Sequence, residues 1–352
     1  MFRFSRAGLI AVSMVTSAFS QSPMPSPATE VTVDSLSQAD LQAIVPLLKN
    51  NFTNPQAVSD VELNRATVEG LLMQLSNGVM LLPNHSSAPA AETAPFYTEV
   101  LDGHAGYLRL GTLNAGNLQA LDKALSGFAP KKVDAAIVDL RASGGAGDFV
   151  TAAEFAKRFC PKGKPLFTLR KPGAHQDRVL TSDRDPAFQG LITVLADEDT
   201  SGAAEALAGA LRVYEKGLII GQTTAGRAVE YSDLPLPSGK ILRVASEEVI
   251  LPGDRPLFPD GIKPDLPVEM SLMDKRQIFQ SSGEKGMGPF IYESERPHIN
   301  EAALIAGTNP ELDAIEAAQR RRDRGPGRIA LHDVVLQRAL DLVTSLEVYQ
   351  KR

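Results

Sequence analysis

The stretch Val133-Asp134-Ala135-Ala136-Ile137-Val138-Asp139-Leu140 is a near-continuous apolar run that ends directly before Arg141-Ala142-Ser143-Gly144-Gly145. Such runs are typical of strands buried on both faces of a sheet, since neither face meets water. Shorter apolar runs alternate with helical patterns on either side of it. The other predicted strands are 106–110, 165–169, 191–195, 218–221, 229–234 and 241–249, and the predicted helices are 118–128, 149–159 and 202–214. This alternation predicts an α/β domain with a mostly parallel sheet covered by helices.

The segments that flank this domain have different patterns. Residues 35–82 carry apolar side chains at helical spacing and are predicted to be an N-terminal helical segment, and residues 83–95 are a linker rich in Pro, Ala and Ser. The core is predicted to span residues 96–270. A Gly-rich loop and helices near 300–305, 310–321 and 334–348 follow, so residues 271–352 are predicted to be a C-terminal helical extension.

The first twenty residues have the pattern of an export signal. Arg3 and Arg6 precede an apolar run over residues 7–19, and Ala18 and Ser20 are small residues of the kind that signal peptidases recognise. The run is short for a transmembrane helix. The sequence therefore predicts a signal peptide at 1–20, a linker at 21–34, and a periplasmic or secreted protein without a membrane span after cleavage.

Composition excludes several classes of function. The formal net charge is -6, which argues against a nucleic-acid partner because such proteins need a basic face. Neither the zinc-site spacings of His and Cys nor a phosphate-binding loop occurs, so no metal and no cofactor is predicted. Cys160 is the only cysteine, and no disulfide can form within the chain.

Five short motifs follow one another along the core: GYLRL at 106–110, DLRASGG at 139–145, TSGAAE at 200–205, GQTTAGR at 221–227 and FPDGIKPD at 258–265. In this order and spacing they resemble the catalytic domain of the tail-specific (carboxyl-terminal processing) serine peptidases. GYLRL resembles the strand that opens the family's catalytic core, and the other four correspond to the family's D-L-R-x-N-x-G-G, S-A-S-A-S-E, G-E-x-T-x-G-K and G-I-x-P-D. A single Gly-Gly after a strand is commonplace, and it is the ordered set that carries the resemblance.

The resemblance implies a fold of the ClpP/crotonase type, a spiral of β-β-α units. Members of the family commonly carry a PDZ domain between the N-terminal helices and the core. Here the linker 83–95 stands at that place, and it is several times too short for such a domain. The chain is therefore interpreted as a degenerate member that lacks the PDZ domain.

The resemblance also assigns positions to the family's chemistry, in which a serine attacks the scissile carbonyl and a neutral lysine takes its proton. With Glu205 placed on the family's glutamate, the nucleophile position falls on Gly202, the lysine position on Arg227 and the glutamine position on Tyr231. Glycine has no nucleophilic group, and an arginine stays protonated, so it cannot act as a base. The oxyanion-hole-like donors implied by the family are retained at Gly144, Gly145 and Ala203.

Ser201, one residue before the expected nucleophile, is the alternative. A shift of one position at a helix start rotates the side chain by about 100°, and Ser201 would also need a base. The candidates lie outside any motif: His104, His175, Lys216 and Lys240.

Three functions remain open from the sequence. The first is an exported, non-catalytic pseudopeptidase that binds a polypeptide in its cleft. The second is an active serine-type endopeptidase that uses Ser201 on exported proteins. The third is a structural or assembly protein that oligomerises through residues 300–348.

Overall fold

A computed structural model describes residues 36–83, 93–145, 148–171, 176–214, 217–291 and 331–350. The predicted signal peptide at 1–20, the linker at 21–34 and the predicted helices near 300–305 and 310–321 lie outside the described residues. Two units are distinguished, residues 1–70 and residues 71–352.

The described part of the chain contains strands and helices with the following bounds. The strands are β1 (Val79–Leu82), β2 (Tyr97–Leu101), β3 (Ala105–Arg109), β4 (Ala135–Asp139), β5 (Pro165–Lys171), β6 (Gln176–Thr181), β7 (Leu191–Ala196), β8 (Gly217–Gly221), β9 (Val229–Pro235), β10 (Ile241–Leu251), β11 (Arg255–Pro256) and β12 (Leu266–Pro267). The α-helices are α1 (Gln38–Asn51), α2 (Asp60–Gln74), α3 (Ala115–Phe128), α4 (Phe149–Ala156), α5 (Ala203–Val213), α6 (Leu272–Lys285) and α7 (Val334–Gln350).

The central sheet is mostly parallel. Its strand order is β12-β8-β7-β4-β3-β2, and all neighbouring strands are parallel except β2, which pairs antiparallel with β3. Every residue of β3 and β4 is buried, as the near-continuous apolar run at β4 predicts. The carboxyl ends of β4, β7 and β8 therefore meet at one edge of the sheet.

Helices cover both faces of this sheet. Side chains alternate along a strand, so each strand contributes to a hydrophobic cluster on each face of the sheet. Val138 and Val194 belong to the cluster formed with α3, α4 and α5. Ile137 and Leu195 belong to the cluster formed with α6 and α7. The apolar face of α7 is covered by the sheet: Val335, Leu336, Ala339, Leu340 and Val343 are all buried. The predicted α/β class is confirmed, and its layers agree with the ClpP/crotonase-type fold.

A second, antiparallel sheet lies beside the central one. Its order is β1-β10-β5-β6, and β9 and β11 also pair with β10. The long strand β10 holds this sheet together, since it pairs with β1, β5, β9 and β11.

The first unit contains α1 and most of α2. Ser37 caps α1 together with Asp40: the Ser37 hydroxyl accepts from the Asp40 amide at 3.2 Å and the Asp40 carboxylate accepts from the Ser37 amide at 2.9 Å. Lys49 pairs with Asp60, which joins the two helices. None of the described side chains of α1 and α2 is buried.

Two predictions of local structure are wrong. Residues 35–82 are not all helical, because α2 ends at Gln74 and residues 79–82 form β1, whose pairing with β10 overrides the local pattern. The Gly-rich loop predicted after Met270 is instead helix α6, which buries Ile278 against the sheet. In both cases a partner distant in sequence decides the conformation.

A buried ion network attaches α7 to the central sheet. Arg141 lies between Asp139, at 2.6 Å from Nη2, and Asp333, whose two oxygens accept from Nη1 and Nη2 at 2.9 and 2.8 Å. Burial alone would raise the pKa of Asp139, but Arg141 and the Tyr107 hydroxyl hold it below its ordinary value. Its contribution to stability is therefore present above the unfolded pKa of about 3.9 and is lost as the pH falls through the lower folded value.

Asp333→Asn should destabilise the protein by about 3 kcal/mol, because an asparagine has one acceptor oxygen where the two oxygens of Asp333 accept from Arg141, which leaves a buried guanidinium N–H facing an NH2 group. The measurement is urea unfolding at neutral pH. Asp233→Asn is the matched control, since Asp233 pairs with Arg243 at 2.7 Å on the surface and its loss should cost at most about 1 kcal/mol. Equal effects of the two variants would contradict a structural role for the Arg141 network.

Candidate functional site

The loops that follow β4, β7 and β8 converge on one cleft. The Thr200 hydroxyl donates to the Leu140 carbonyl at 3.2 Å, and the Ala225 amide donates to the Thr200 carbonyl at 3.0 Å, so the three loops are bonded to one another. Crevices at the carboxyl ends of parallel strands are the usual ligand sites of open α/β sheets. The cleft has a volume of about 750 Å³, and α6 forms another of its walls.

Glu205 organises the backbone of this cleft. Its side chain is fully buried, and its two oxygens accept four hydrogen bonds: from the amides of Gly202 (2.9 Å), Gly226 (2.7 Å) and Arg227 (2.7 Å) and from the Thr224 hydroxyl (2.6 Å). The predicted alignment through Glu205 thus corresponds to direct contacts in the structure. The carboxylate fixes residue 202 next to residue 227.

Gly202 is the N-cap of α5 and occupies a sharp turn. Its φ is +61° and its ψ is -119°, a conformation that residues with side chains adopt only under strain. A Cβ added at this position would lie 3.3 Å from the Gly145 carbonyl oxygen and 3.7 Å from that of Arg227. A small side chain therefore fits with slight adjustment, and the sequence provides none.

The Ser201 hydroxyl lies against the glycine loop that follows β4. Its oxygen accepts a hydrogen bond from the Gly145 amide at 3.0 Å, and in the described part of the chain this is its one hydrogen bond. Gly144 approaches the next loop closely, because a Cβ there would lie 2.5 Å from the Asp199 carbonyl oxygen. The structure thus brings Gly144, Gly145, Ser201 and Gly202 together, with Ala203 adjacent at the start of α5.

Arg227 and Tyr231 differ in their surroundings. The Arg227 side chain is exposed and lines the cleft, and it has no carboxylate partner among the described residues. The Tyr231 hydroxyl instead donates to the Asn77 carbonyl at 2.7 Å. Burial raises the pKa of Tyr231, so the phenol stays a neutral donor.

Lys275 of α6 is a cleft residue that the sequence analysis missed. Its ammonium donates to Asp197 (2.5 Å), Asp199 (2.8 Å) and the Arg141 carbonyl (3.2 Å), and its side chain is only 4% exposed. A lysine ammonium has three N–H groups, so all three are used. Burial raises the pKa of Asp197, and Lys275 opposes that shift.

The candidate bases for Ser201 are not brought to it. His104 precedes β3, at the opposite end of the parallel strands, and lies roughly 17 Å from the end of β3 at Arg109, at about 3.3 Å per residue. Lys240 lies in the turn between β9 and β10 of the other sheet. His175 and Lys216 lie outside the described residues. Among the described lysines and histidines, only Lys275 lines the cleft with Ser201, and its N–H groups are directed at other acceptors.

The family model of peptidase family S41 matches residues 104–268. This segment belongs to peptidase family S41. The S41 segment contains the whole of the cleft's glycine loop, the start of α5 and residue 227, and the predicted resemblance to the carboxyl-terminal processing peptidases is confirmed.

Two curated proteins and one solved structure are also similar to this chain. The chloroplastic carboxyl-terminal-processing peptidase 2 of Arabidopsis thaliana is 28% identical over 174 residues, which cover 49% of this chain and 34% of that protein. The carboxyl-terminal-processing protease of Synechocystis is 27% identical over 173 residues, covering 49% of this chain and 40% of the relative. Both matches thus span well under half of the relative's length. A Parabacteroides merdae structure assigned to the peptidases aligns with a TM-score of 0.50 at 16% identity, over 69% of this chain and 85% of that chain, and shows a common fold.

No described helix has the length and apolar character needed to cross a membrane. The described residues contain no group of three or more His, Cys, Asp or Glu side chains placed to hold a metal ion.

Glu205→Gln should destabilise the S41 domain by about 3 kcal/mol or more. A glutamine has one acceptor oxygen, and its NH2 group would face backbone amides that now donate to Glu205, which leaves buried donors unpaired. The measurement is the midpoint of urea unfolding. Glu230→Gln is the matched control, because Glu230 makes only an exposed contact with Arg178 at 3.3 Å, and its loss should cost less than about 1 kcal/mol. A Glu205→Gln variant as stable as this control would refute the organising role of Glu205.

Proposed function

We propose that this protein is an exported, non-catalytic member of peptidase family S41 that binds polypeptides in the cleft beside Gly202. The proposal rests on two residues whose backbone amides donate to Glu205, namely Gly202 and Arg227. Position 202 has no side chain to attack a carbonyl, and position 227 carries a permanent cation in place of a titratable amine. The cleft itself is retained, with a volume of about 750 Å³.

The surviving parts of the site support binding rather than hydrolysis. The glycine loop at 144–145 and the start of α5 keep the positions from which the family's oxyanion donors would act. Polypeptide binding follows from the kinship with peptidases, because a substrate cleft can persist after the reacting groups are lost. Export follows from the pattern of residues 3–20, which lie outside the described residues.

The rival function is a serine endopeptidase that uses Ser201. Its hydroxyl does lie in the cleft, but a serine nucleophile needs a base within hydrogen-bond reach. In the part of the chain that the structure describes, Ser201 Oγ contacts the Gly145 amide and no amine or imidazole. We therefore favour the non-catalytic function. Assembly through 300–348 is less supported, since the apolar face of α7 already packs on the sheet.

Purified protein should neither cleave unfolded casein nor react with a serine-directed fluorophosphonate probe. The reason is that none of the described residues is placed as a base to activate a hydroxyl in the cleft. Labelling is read by mass spectrometry and cleavage by gel, with an active serine peptidase added to a parallel reaction to validate both assays. Labelling or turnover that disappears in Ser201→Ala would establish the endopeptidase function instead.

The combined substitutions Gly202→Ser, Arg227→Lys and Tyr231→Gln should restore weak casein cleavage. The matched control carries Gly202→Ala with the same changes at 227 and 231, so it shares the strain of a side chain at φ +61°, about 1–3 kcal/mol, but lacks the hydroxyl. The serine variant should exceed this control by about 100-fold, the lower end of what a positioned base contributes. Circular dichroism checks that both fold. A folded serine variant no faster than the control would contradict the idea that only these side chains were lost.

A further inference from the structure

A groove runs along the outer edge of the central sheet, between β2 and α3. Its floor is apolar, because Phe96, Val100, Ala124 and Phe128 line it and belong to or pack against the hydrophobic cluster on that face of the sheet. The groove has a volume of about 380 Å³. None of the residues that line it also lines the cleft, so the groove is a separate feature of the surface.

Strand β2 offers main-chain hydrogen-bonding groups beside this groove. It is the last strand at its edge of the sheet, and β3 is its one partner among the described strands. In an antiparallel pair alternate residues bond to the partner, so the residues between them direct their N–H and C=O groups to the other side. Such an edge is a template for a further strand, which would lie about 4.8 Å away. Every second side chain of that strand would lie on the same face of the sheet as Val100, over the groove.

The charges beside the groove favour an acidic partner. Lys123 and Lys131 line it, both are exposed, and neither has an ion pair with a described residue. Glu99 is the one acidic residue among the described residues that line the groove, and its carboxylate already accepts from the Tyr97 hydroxyl and the Met287 amide at 2.7 Å each. Two cations against one carboxylate give the lining residues a net charge of +1, and the floor behind them is apolar.

The two lysines also define a spacing. Lys131 lies just after the end of α3, eight residues after Lys123, and at 1.5 Å per residue their backbones are about 12 Å apart. An extended chain advances about 3.3 Å per residue, so two residues four positions apart in it are separated by nearly the same distance. Such residues also lie on the same face of a strand. Acidic side chains at positions i and i+4, with an apolar side chain at i+2, therefore match both the lysines and the floor of the groove.

We infer that this groove is a second binding site, which takes an extended segment of a partner protein as an added strand on β2. The segment has the pattern acidic-x-apolar-x-acidic. Its main chain bonds to the outer side of β2, its apolar side chain lies on the floor of the groove, and its acidic side chains face Lys123 and Lys131. The inference goes beyond the proposed function, since neither Gly202 nor Arg227 takes part in it.

The probe is a fluorescein-labelled heptapeptide, Thr-Glu-Thr-Val-Thr-Glu-Thr, blocked at both ends, and its binding to the full chain is measured by fluorescence polarisation at 0.15 M salt. Exchanging its fifth and sixth residues puts the two Glu side chains on opposite faces at unchanged composition, and should weaken binding about threefold. N-methylation at positions 3 and 5 removes N–H groups from one side of the peptide, and at positions 4 and 6 from the other. One of these two peptides should bind at least about tenfold more weakly and the other about as well as the probe. Equal binding of both would contradict strand addition.

Gly127→Leu should weaken binding of the probe at least about tenfold, because it places a side chain in the groove. Gly127 lines the groove, and a Cβ added there meets nothing within 4 Å. Leucine is also the better helix former, so the variant should fold, which its urea unfolding midpoint checks. Gly70→Leu in α2 is the matched control, since a Cβ there likewise meets nothing within 4 Å and Gly70 lies outside the groove. The control should bind the probe as the unchanged chain does.

Charge reversal tests the role of the lysines separately from the space in the groove. Lys123→Glu should remove the preference of the protein for the peptide with both Glu side chains on one face. Lys162→Glu is the control, because Lys162 is exposed, has no ion pair with a described residue and lies outside the groove. Loss of the preference in both variants would reduce it to general electrostatic attraction.

Three further results would assign the groove or the peptide differently. Unchanged binding in Gly127→Leu would place the peptide elsewhere on the protein. A dimer in light scattering that Gly127→Leu converts to a monomer would assign the groove to a second copy of this chain. Residues 294–328, which lie outside the described residues, are replaced by a short Gly-Ser linker, since the Phe290 carbonyl accepts from the Asp333 amide at 2.9 Å and the two ends are close. Binding that becomes tenfold tighter after this replacement would assign the groove to that segment of the chain itself.

Discussion

The cleft depends on one buried carboxylate with four donors. Glu205 holds amides from two segments, Gly202 at the start of α5 and Gly226 and Arg227 after β8, and it also holds the Thr224 hydroxyl. A buried carboxylate without partners would cost several kcal/mol, so the loops are constrained to supply these donors. Three of the four are backbone amides, which any residue provides. The hydrogen bonds to Glu205 therefore do not depend on which side chains other than proline occupy positions 202 and 227, and this separates the scaffold from the chemistry it carries.

A second constraint comes from the buried cations of the central sheet. Arg141 binds Asp333 at the start of α7, and Lys275 of α6 binds Asp197 and Asp199 after β7. Each pair attaches a helix from the C-terminal part of the chain to the loops that line the cleft. Because breaking such a pair leaves a buried charge uncompensated, the helices are an integral part of the domain rather than an appendage. Each of these two cations is bonded to two carboxylates, so neither positive charge is left without a partner.

The sequence predicts the parts of the fold that depend on local hydrophobic patterns and on the spacing of motifs. The run at 133–140 becomes β4, and the spacing between Glu205 and Arg227 predicts two segments that the structure places on one carboxylate. Strand β1 and helix α6 were missed because their neighbours lie far away in sequence. Lys275 meets Asp197 across 78 residues, and Arg141 meets Asp333 across 192. A lysine or aspartate in or beside a helix gives no local sign of a partner at that distance, so the ion pairs of Lys275 and Asp333 could not be found from the sequence.

Catalysis by Ser201 would need more than the presence of its hydroxyl in the cleft. An attacking serine must direct its oxygen at a carbonyl carbon while nearby amides are free to bind the oxygen that becomes negative. Here the Ser201 oxygen is itself bonded to the Gly145 amide, one of the donors that the family's chemistry would assign to the oxyanion. Attack would require Ser201 to leave that amide and rotate towards the substrate. Its present contact instead joins the glycine loop to the start of α5, a structural role that needs no base.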